Sequence, residues 1–131
     1  MEDSFKLDIV SPENIIFSDN VKMVTLPSYE GDMSILKNHI SIITFLRPGI
    51  IKVQKNDGNV DEFFVEDGTI EFFNNILVVL SSSIKNIKNL SKSFLNDLEK
   101  ETQNKLESKD INDHDVYVLN HKLAILKQIG I

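Results

Sequence analysis

Glu30, Asp32 and His39 lie close together in the stretch YEGDMSILKNHISIITFLRPG, which runs from Tyr29 to Gly49. Two carboxylates and an imidazole could supply a general acid and a general base. They could equally make charge-assisted hydrogen bonds to basic or amide groups on a partner. The other histidines, His114 and His121, are too scattered to form a ligand cluster with His39. His114 sits between Asp113 and Asp115 and could hold a metal weakly, but an exposed helix cap suits the spacing better. No Ser/His/Asp order falls on a nucleophile elbow, and there is no Gly-x-x-x-x-Gly-Lys phosphate loop. The absence of cysteine excludes disulfides and thiolate metal sites and fits a reducing compartment.

The elements that must position these residues read as strands and turns. Pro27-Ser28-Tyr29-Glu30 is polar and loop-like, and Gly31 follows it. Met33, Ile35 and Leu36 form a short strand broken by Lys37-Asn38, and Ile40 to Leu46 is an apolar run suited to a buried strand. Pro48 and Gly49 fit the central positions of a type II turn, since proline presets the first φ and glycine supplies the positive second one. Upstream, Phe5 to Ile9 alternates apolar with polar, as a half-buried strand does. Ile15 to Phe17 and Val21 to Leu26 read as two strands separated by Ser18-Asp19-Asn20. Asp57-Gly58 between Ile50–Lys55 and Val60–Glu66 signals a hairpin in which both turn residues accept positive φ. Asp67-Gly68 and Asn74-Asn75 mark two further bends before Ile76 to Leu80.

Strands this closely spaced predict an antiparallel β-sandwich or barrel, without room for the crossover helices of a parallel sheet. Phe63, Val65, Ile70 and Phe72 should help fill its core. After Ser81-Ser82-Ser83 the period changes. Leu90, Phe94, Leu98, Thr102 and Leu106 recur every four residues, with Ser91 as N-cap and Leu90 and Leu95 placed for a hydrophobic staple. Val116, Leu119, Leu123 and Leu126 mark a second helix capped by Asn112 or Asp113. Both apolar stripes are narrow, so the helices must lean on each other, on the sandwich or on a partner.

A chain of 131 residues suffices for one domain or a small domain with an appendage, and 41% hydrophobic residues can build a core. The net charge of -6 argues against general nucleic-acid binding. That charge is uneven: residues 1–84 carry 6 basic and 13 acidic side chains, a net of -7, and residues 85–131 carry 8 and 7, a net of +1. A β-sandwich domain over 1–84 and a helical hairpin domain over 85–131 follow, giving an α+β fold class. The longest apolar runs fall far below the ~20 residues of a membrane-spanning helix. Met1-Glu2-Asp3 lacks the basic and apolar regions of a signal peptide.

Glu30-Gly31-Asp32, the pair Ile35-Leu36, His39 and Leu46-Arg47-Pro48-Gly49 together resemble the epsilon subunit of F-type ATP synthases, whose mitochondrial counterpart is called delta. That family runs roughly E-G-x-x-G-I-L-P-G-H-A-P-L, followed by a K-P-G turn. The chain departs at Ser34, Lys37, Asn38 and Ser41, where the family usually has Gly, Pro, Gly and Pro. Val10-Ser11-Pro12 with Phe17 reproduces the family's V-S-P-x-x-x-x-F start, and Asp67-Gly68 keeps one of its two glycines. The order of sandwich then helical hairpin extends the resemblance over nearly the whole chain.

The resemblance implies a non-catalytic central-stalk (rotor) subunit that binds the gamma subunit and the c-ring and couples proton flow to ATP synthesis. It implies a place peripheral to the membrane, at the cytoplasmic face of a bacterial inner membrane or, if organellar, at the mitochondrial inner membrane. It puts the c-ring contact loop at Glu30, Gly31, Asp32 and His39, with Gly31 setting the turn and the others making charge-assisted contacts. No catalytic, metal or cofactor residues are assigned. Some relatives bind ATP through I/L-D-x-x-R-A at the start of the first C-terminal helix. Here Ser91 replaces the acid and Phe94 the arginine, which leaves no polar fork for ribose or phosphate. In some relatives the hairpin reaches the alpha and beta subunits and inhibits hydrolysis. The second helix here has Lys122, Lys127 and His121 but no arginine, and it ends in Ile129-Gly130-Ile131. A hairpin that stays packed and inhibits weakly is therefore expected. A competing reading is a stand-alone regulatory β-sandwich module with a ligand-switched hairpin, which measurable ATP binding by isothermal titration would favour. A small β-sandwich enzyme lacks any nucleophile or metal constellation to support it.

Overall fold

The computed structural model describes residues 3–130. Met1, Glu2 and Ile131, and with them part of the acidic start and the last residue of the apolar end, lie outside the described residues. Strands β1 (Phe5–Val10), β2 (Ile15–Ser28), β3 (Gly31–Ile35), β4 (Ile42–Leu46) and β5 (Gly49–Lys55) come first. Strands β6 (Val60–Val65), β7 (Gly68–Phe73), β8 (Ile76–Leu80) and β9 (Lys85–Asn86) follow, then helices α1 (Lys92–Leu106) and α2 (Asp113–Ile129). The nine strands form one sheet in the order β1-β8-β7-β4-β2-β5-β6-β9, with β3 paired to β2. Because β1 also pairs with β2, the sheet folds back on itself as a sandwich. The architecture is therefore the expected sandwich followed by a two-helix hairpin.

Ser18-Asp19-Asn20 does not break a strand: β2 runs through it. These polar side chains are exposed, β1 pairs with the backbone alongside, and the Ser18 hydroxyl donates to Asp8 Oδ1 at 2.6 Å. A polar run in an exposed, paired strand costs little, so composition alone misplaced the turn. A register shift between Val21 and Met23 then carries β2 from β1 to β5. The pairing is not wholly antiparallel either, since β1 and β8 run parallel. The whole intervening sandwich serves as their crossover, so no helix is needed.

Gly49 does not occupy a type II turn. It is absent from the glycines with positive φ and already pairs with Val65 in β5. A Cβ there would stand 2.5 Å from the Pro27 Cβ, so close packing is what demands glycine. At the β5–β6 turn Gly58 takes φ +89, while Asp57 keeps a negative φ and accepts a hydrogen bond from the Asn59 N–H at 2.9 Å. Asn74 and Asn75, at φ +53 and +60, make the two-residue primed turn joining β7 to β8.

Phe63, Val65, Ile70 and Phe72 are each at most 2% exposed, inside one core that also holds Leu7, Ile9 and Leu77. Alternation sends the neighbour Phe64 outward from β6, where Leu95 of α1 and Leu126 of α2 bury it to 1%. Burying a phenylalanine side chain this fully contributes about 2–3 kcal/mol. Ser91 Oγ caps α1 by accepting from the Phe94 N–H at 3.0 Å, and Asn112 Oδ1 caps α2 by accepting from Asp115 at 2.8 Å. Thr102, on the inner stripe of α1, is fully buried and donates to the Leu98 carbonyl at 2.7 Å. Among the described residues no helix is long and apolar enough to cross a membrane.

Candidate functional site

Three features of the surface can meet a partner, and the first is the β2–β3 turn. Ser28, buried at the end of β2, donates its hydroxyl to the Gly31 carbonyl at 2.6 Å and accepts from the Glu30 N–H at 3.3 Å. Gly31 adopts φ +121, and nothing stands within 4 Å of where a Cβ would be. Backbone conformation, not space, therefore requires glycine there. Glu30 and Asp32 project from this turn into solvent, with Asp32 Oδ1 3.6 Å from the Arg47 guanidinium. An ion pair this exposed contributes little stability and leaves the carboxylate available.

His39 is not beside them. Strand β3 runs about 14 Å away from the turn at the usual rise per residue, and His39 follows its far end. There the imidazole Nδ1 donates to the Ile40 carbonyl at 2.7 Å, and the ring meets Phe72 edge-on at 5.9 Å. Beside it Asn38 and Asn75 clasp each other, the Asn38 N–H donating to Asn75 Oδ1 at 2.7 Å and Asn75 Nδ2 donating to Asn38 Oδ1 at 3.1 Å. Glu30, Gly31 and Asp32 thus share one turn, and His39 belongs to the opposite end of the sandwich.

The second feature is the seam where α2 meets the sandwich. Arg47, linking β4 to β5, donates through Nη1 to the Tyr117 hydroxyl and to His121 Nε2, both at 3.3 Å. Guanidinium can only donate, so Nε2 accepts, and Nδ1 carries the hydrogen that meets the Tyr117 carbonyl at 3.0 Å. Tyr29 stacks against His114 and Tyr117 with ring centroids 6.0 and 5.9 Å away. Burial pushes the Tyr29 phenol above its ordinary range, and Tyr117 and Asp67 push it further. Lys122, nearly buried on α2, pairs with Glu66 just beyond β6. The i,i+4 spacing of Tyr117 and His121 was visible in the sequence, but nothing there linked either to Tyr29 or Arg47. His114 lies against Tyr29 in the first turn of α2, and among the described residues no group of three or more His, Cys, Asp or Glu could hold a metal.

The third feature, which sequence reasoning missed, is the outer face of β1, β8, β7 and β4. Strand registers set its side chains in three rows. Lys6, Ile76 and Phe73 make the first, Asp8, Val78, Glu71 and Ile43 the second, and Val10, Leu80, Thr69 and Phe45 the third. Ile43 is 72% exposed, Phe73 64%, Phe45 63%, Leu80 50% and Ile76 44%, so a contiguous apolar sheet face meets water. Faces of this kind usually mark a protein–protein interface. The alternation of Ile43, Phe45, Phe73 and Leu80 with buried or half-buried neighbours could have given it away, had both sides of these strands been read as apolar.

Residues 4–87 match the family model described as the beta-sandwich domain of the ATP synthase Delta/Epsilon chain. A Pelagibacter ubique protein named ATP synthase epsilon chain is 44% identical over 131 residues, covering 99% of this chain and 100% of that protein. The ATP synthase epsilon chain of Rhizobium etli is 26% identical over 134 residues, covering 98% and 99%. Among solved structures, a chain of the Euglena gracilis mitochondrial ATP synthase (OSCP/F1/c-ring) superposes with a TM-score of 0.75 at 18% identity, covering 95% of this chain and 78% of that one. A chain of the Tetrahymena thermophila mitochondrial ATP synthase central stalk and c-ring superposes at 0.60 with 11% identity, covering 96% of each. At those identities the likeness is one of fold.

Proposed function

The chain belongs to the delta/epsilon family of ATP synthase subunits, and from that premise we propose that it is a non-catalytic rotor subunit of the central stalk, coupling proton flow to ATP synthesis. The apolar face of β4, β7 and β8 docks on the gamma subunit, and this exposed face is the observation that carries the reading. The Glu30-Gly31-Asp32 turn, stiffened by Ser28 and held in solvent, offers carboxylates to the c-ring. His39 stands apart from that turn, at the other end of β3 against the buried Phe72. The subunit is peripheral, at the cytoplasmic face of a bacterial inner membrane or at the mitochondrial inner membrane if organellar. The hairpin, held down by Phe64, Arg47 and Lys122, stays packed and touches alpha and beta subunits little. Deleting residues 88–131 then leaves ATP hydrolysis by the complex nearly unchanged, and a several-fold rise contradicts this.

A pull-down from native membranes tests the main reading. The tagged full chain should recover ATP synthase subunits, and Phe45→Glu, which places a charge on the exposed apolar part of the docking face, should recover few. Recovery of none by the full chain, or equal recovery by the variant, overturns the reading. The described residues need no cofactor for this role, since docking uses side chains already on the surface.

A further inference from the structure

Glu71 is the charged residue on the β4, β7 and β8 part of the docking face, among the described residues. It lies in the middle row with Val78 of β8 on one side and Ile43 of β4 on the other. Along its own strand Thr69 and Phe73 flank it on the same face. Asp8 stands in the same row beyond Val78, two strands or about 10 Å away. Asp8 is already engaged as acceptor to the Ser18 hydroxyl. Glu71 is exposed and has no ion-pair or hydrogen-bond partner among the described residues. The nearest basic side chain on the face, Lys6, sits in the neighbouring row beside Ile76, at the far strand.

When a partner docks, the centre of such a face is desolvated while its rim stays wet. A carboxylate at the centre then loses its water, which is unfavourable unless a cation replaces it. The centre of an interface is depleted of charge, so an acid between Ile43 and Val78 calls for a cation on the partner. We propose that Glu71 is the specificity-determining residue of this interface, paired on docking with one lysine or arginine that projects from an apolar patch of the partner. Resting on the docking reading above, this commits the partner to an apolar surface with one basic residue at its middle. The net charge of -7 over residues 1–84 complements the same partner at long range. The pairing gives register as well as attraction, because a partner shifted by one strand buries its cation against Val78 or Ile43.

The test measures binding of the full chain to the purified gamma subunit of the same complex, with variants Glu71→Gln, Glu71→Lys and Phe45→Glu. Glu71 is exposed, so its variants should melt like the parent chain. Glu71→Gln should weaken binding at least about tenfold and Glu71→Lys further, because the partner's cation is left buried and unpaired. Added salt should weaken the parent complex more than the Glu71→Gln complex. If Phe45→Glu abolishes binding while Glu71→Gln binds as tightly as the parent or tighter, the carboxylate inference is overturned and the docking face stands. If Phe45→Glu also leaves binding intact, the docking reading itself fails, and the inference with it.

Discussion

The sandwich and the helical hairpin are held by different physics. The sandwich surrounds one continuous core of fully buried aliphatic and aromatic residues and closes its own sheet through the pairing of β1 with both β2 and β8. The hairpin shares a small second cluster in which, among the described residues, Phe64, Leu95 and Leu126 are buried, and Phe64 comes from the sandwich. Half-buried apolar residues such as Phe94, Leu98 and Ile125 pack around it, and the rest of the attachment is the Tyr29 ring stack, the Arg47 hydrogen bonds and the Lys122–Glu66 pair. A region with its own closed core withstands the loss of any one surface contact. A region that borrows its central residue does not. The difference sets a sandwich with its own closed core against a hairpin that shares its core with the sandwich.

The largest effect should come from Phe72→Ala. Phe72 is fully buried, meets Phe5 edge-on at 5.6 Å and touches His39, so its loss should cost about 3–5 kcal/mol in chemical denaturation and unfold both regions together. A change below about 1 kcal/mol would mean the core is not continuous as described. Phe64→Ala should cost less globally, about 2–4 kcal/mol, and should fall on the hairpin. Amide exchange in α1 and α2 should rise steeply while the sandwich strands stay protected, and uniform deprotection would erase the distinction between the regions.

Arg47→Ala removes two hydrogen bonds to α2 and the contact to Asp32, and should cost about 1–2 kcal/mol. Faster exchange confined to α2 is the expected readout, and unchanged exchange would mean the seam does not hold the helix. The double charge reversal Glu30→Lys, Asp32→Lys should move stability least, about 0.5 kcal/mol or less per site, since both side chains are exposed. Coupling of the assembled complex should suffer instead, and normal proton pumping would remove the turn from the ring contact.

What was legible in the sequence was local. Asn74-Asn75 and Gly58 announced their turns, and Ser91 and Asn112 their helix caps, because each acts through its own few residues of backbone. The Glu30-Gly31-Asp32 turn was legible for the same reason. What escaped was set by distant partners. The continuity of β2 depends on β1, the parallel pairing of β1 depends on β8, and the need for glycine at 49 depends on Pro27. Tyr29 acquires its role from a helix some ninety residues on, and His39 loses its place beside Asp32 because an intervening paired strand is rigid. The exposed apolar face escaped because Ile43 and Phe45 read as core until the register turned them outward.

If the sandwich docks as proposed, residues through β9 suffice for it, since β9 completes the pairing of β6 and the sheet ends there. The most direct measurement is recovery of ATP synthase subunits from native membranes by a tagged fragment of residues 1–87, compared with the full chain. Removing the hairpin uncovers Phe64, so the fragment should melt at a lower temperature than the full chain, yet still cooperatively with a β-type signal. This fragment should recover the same subunits as the full chain. A folded fragment that recovers none would contradict it, because the hairpin would then be part of the docking surface.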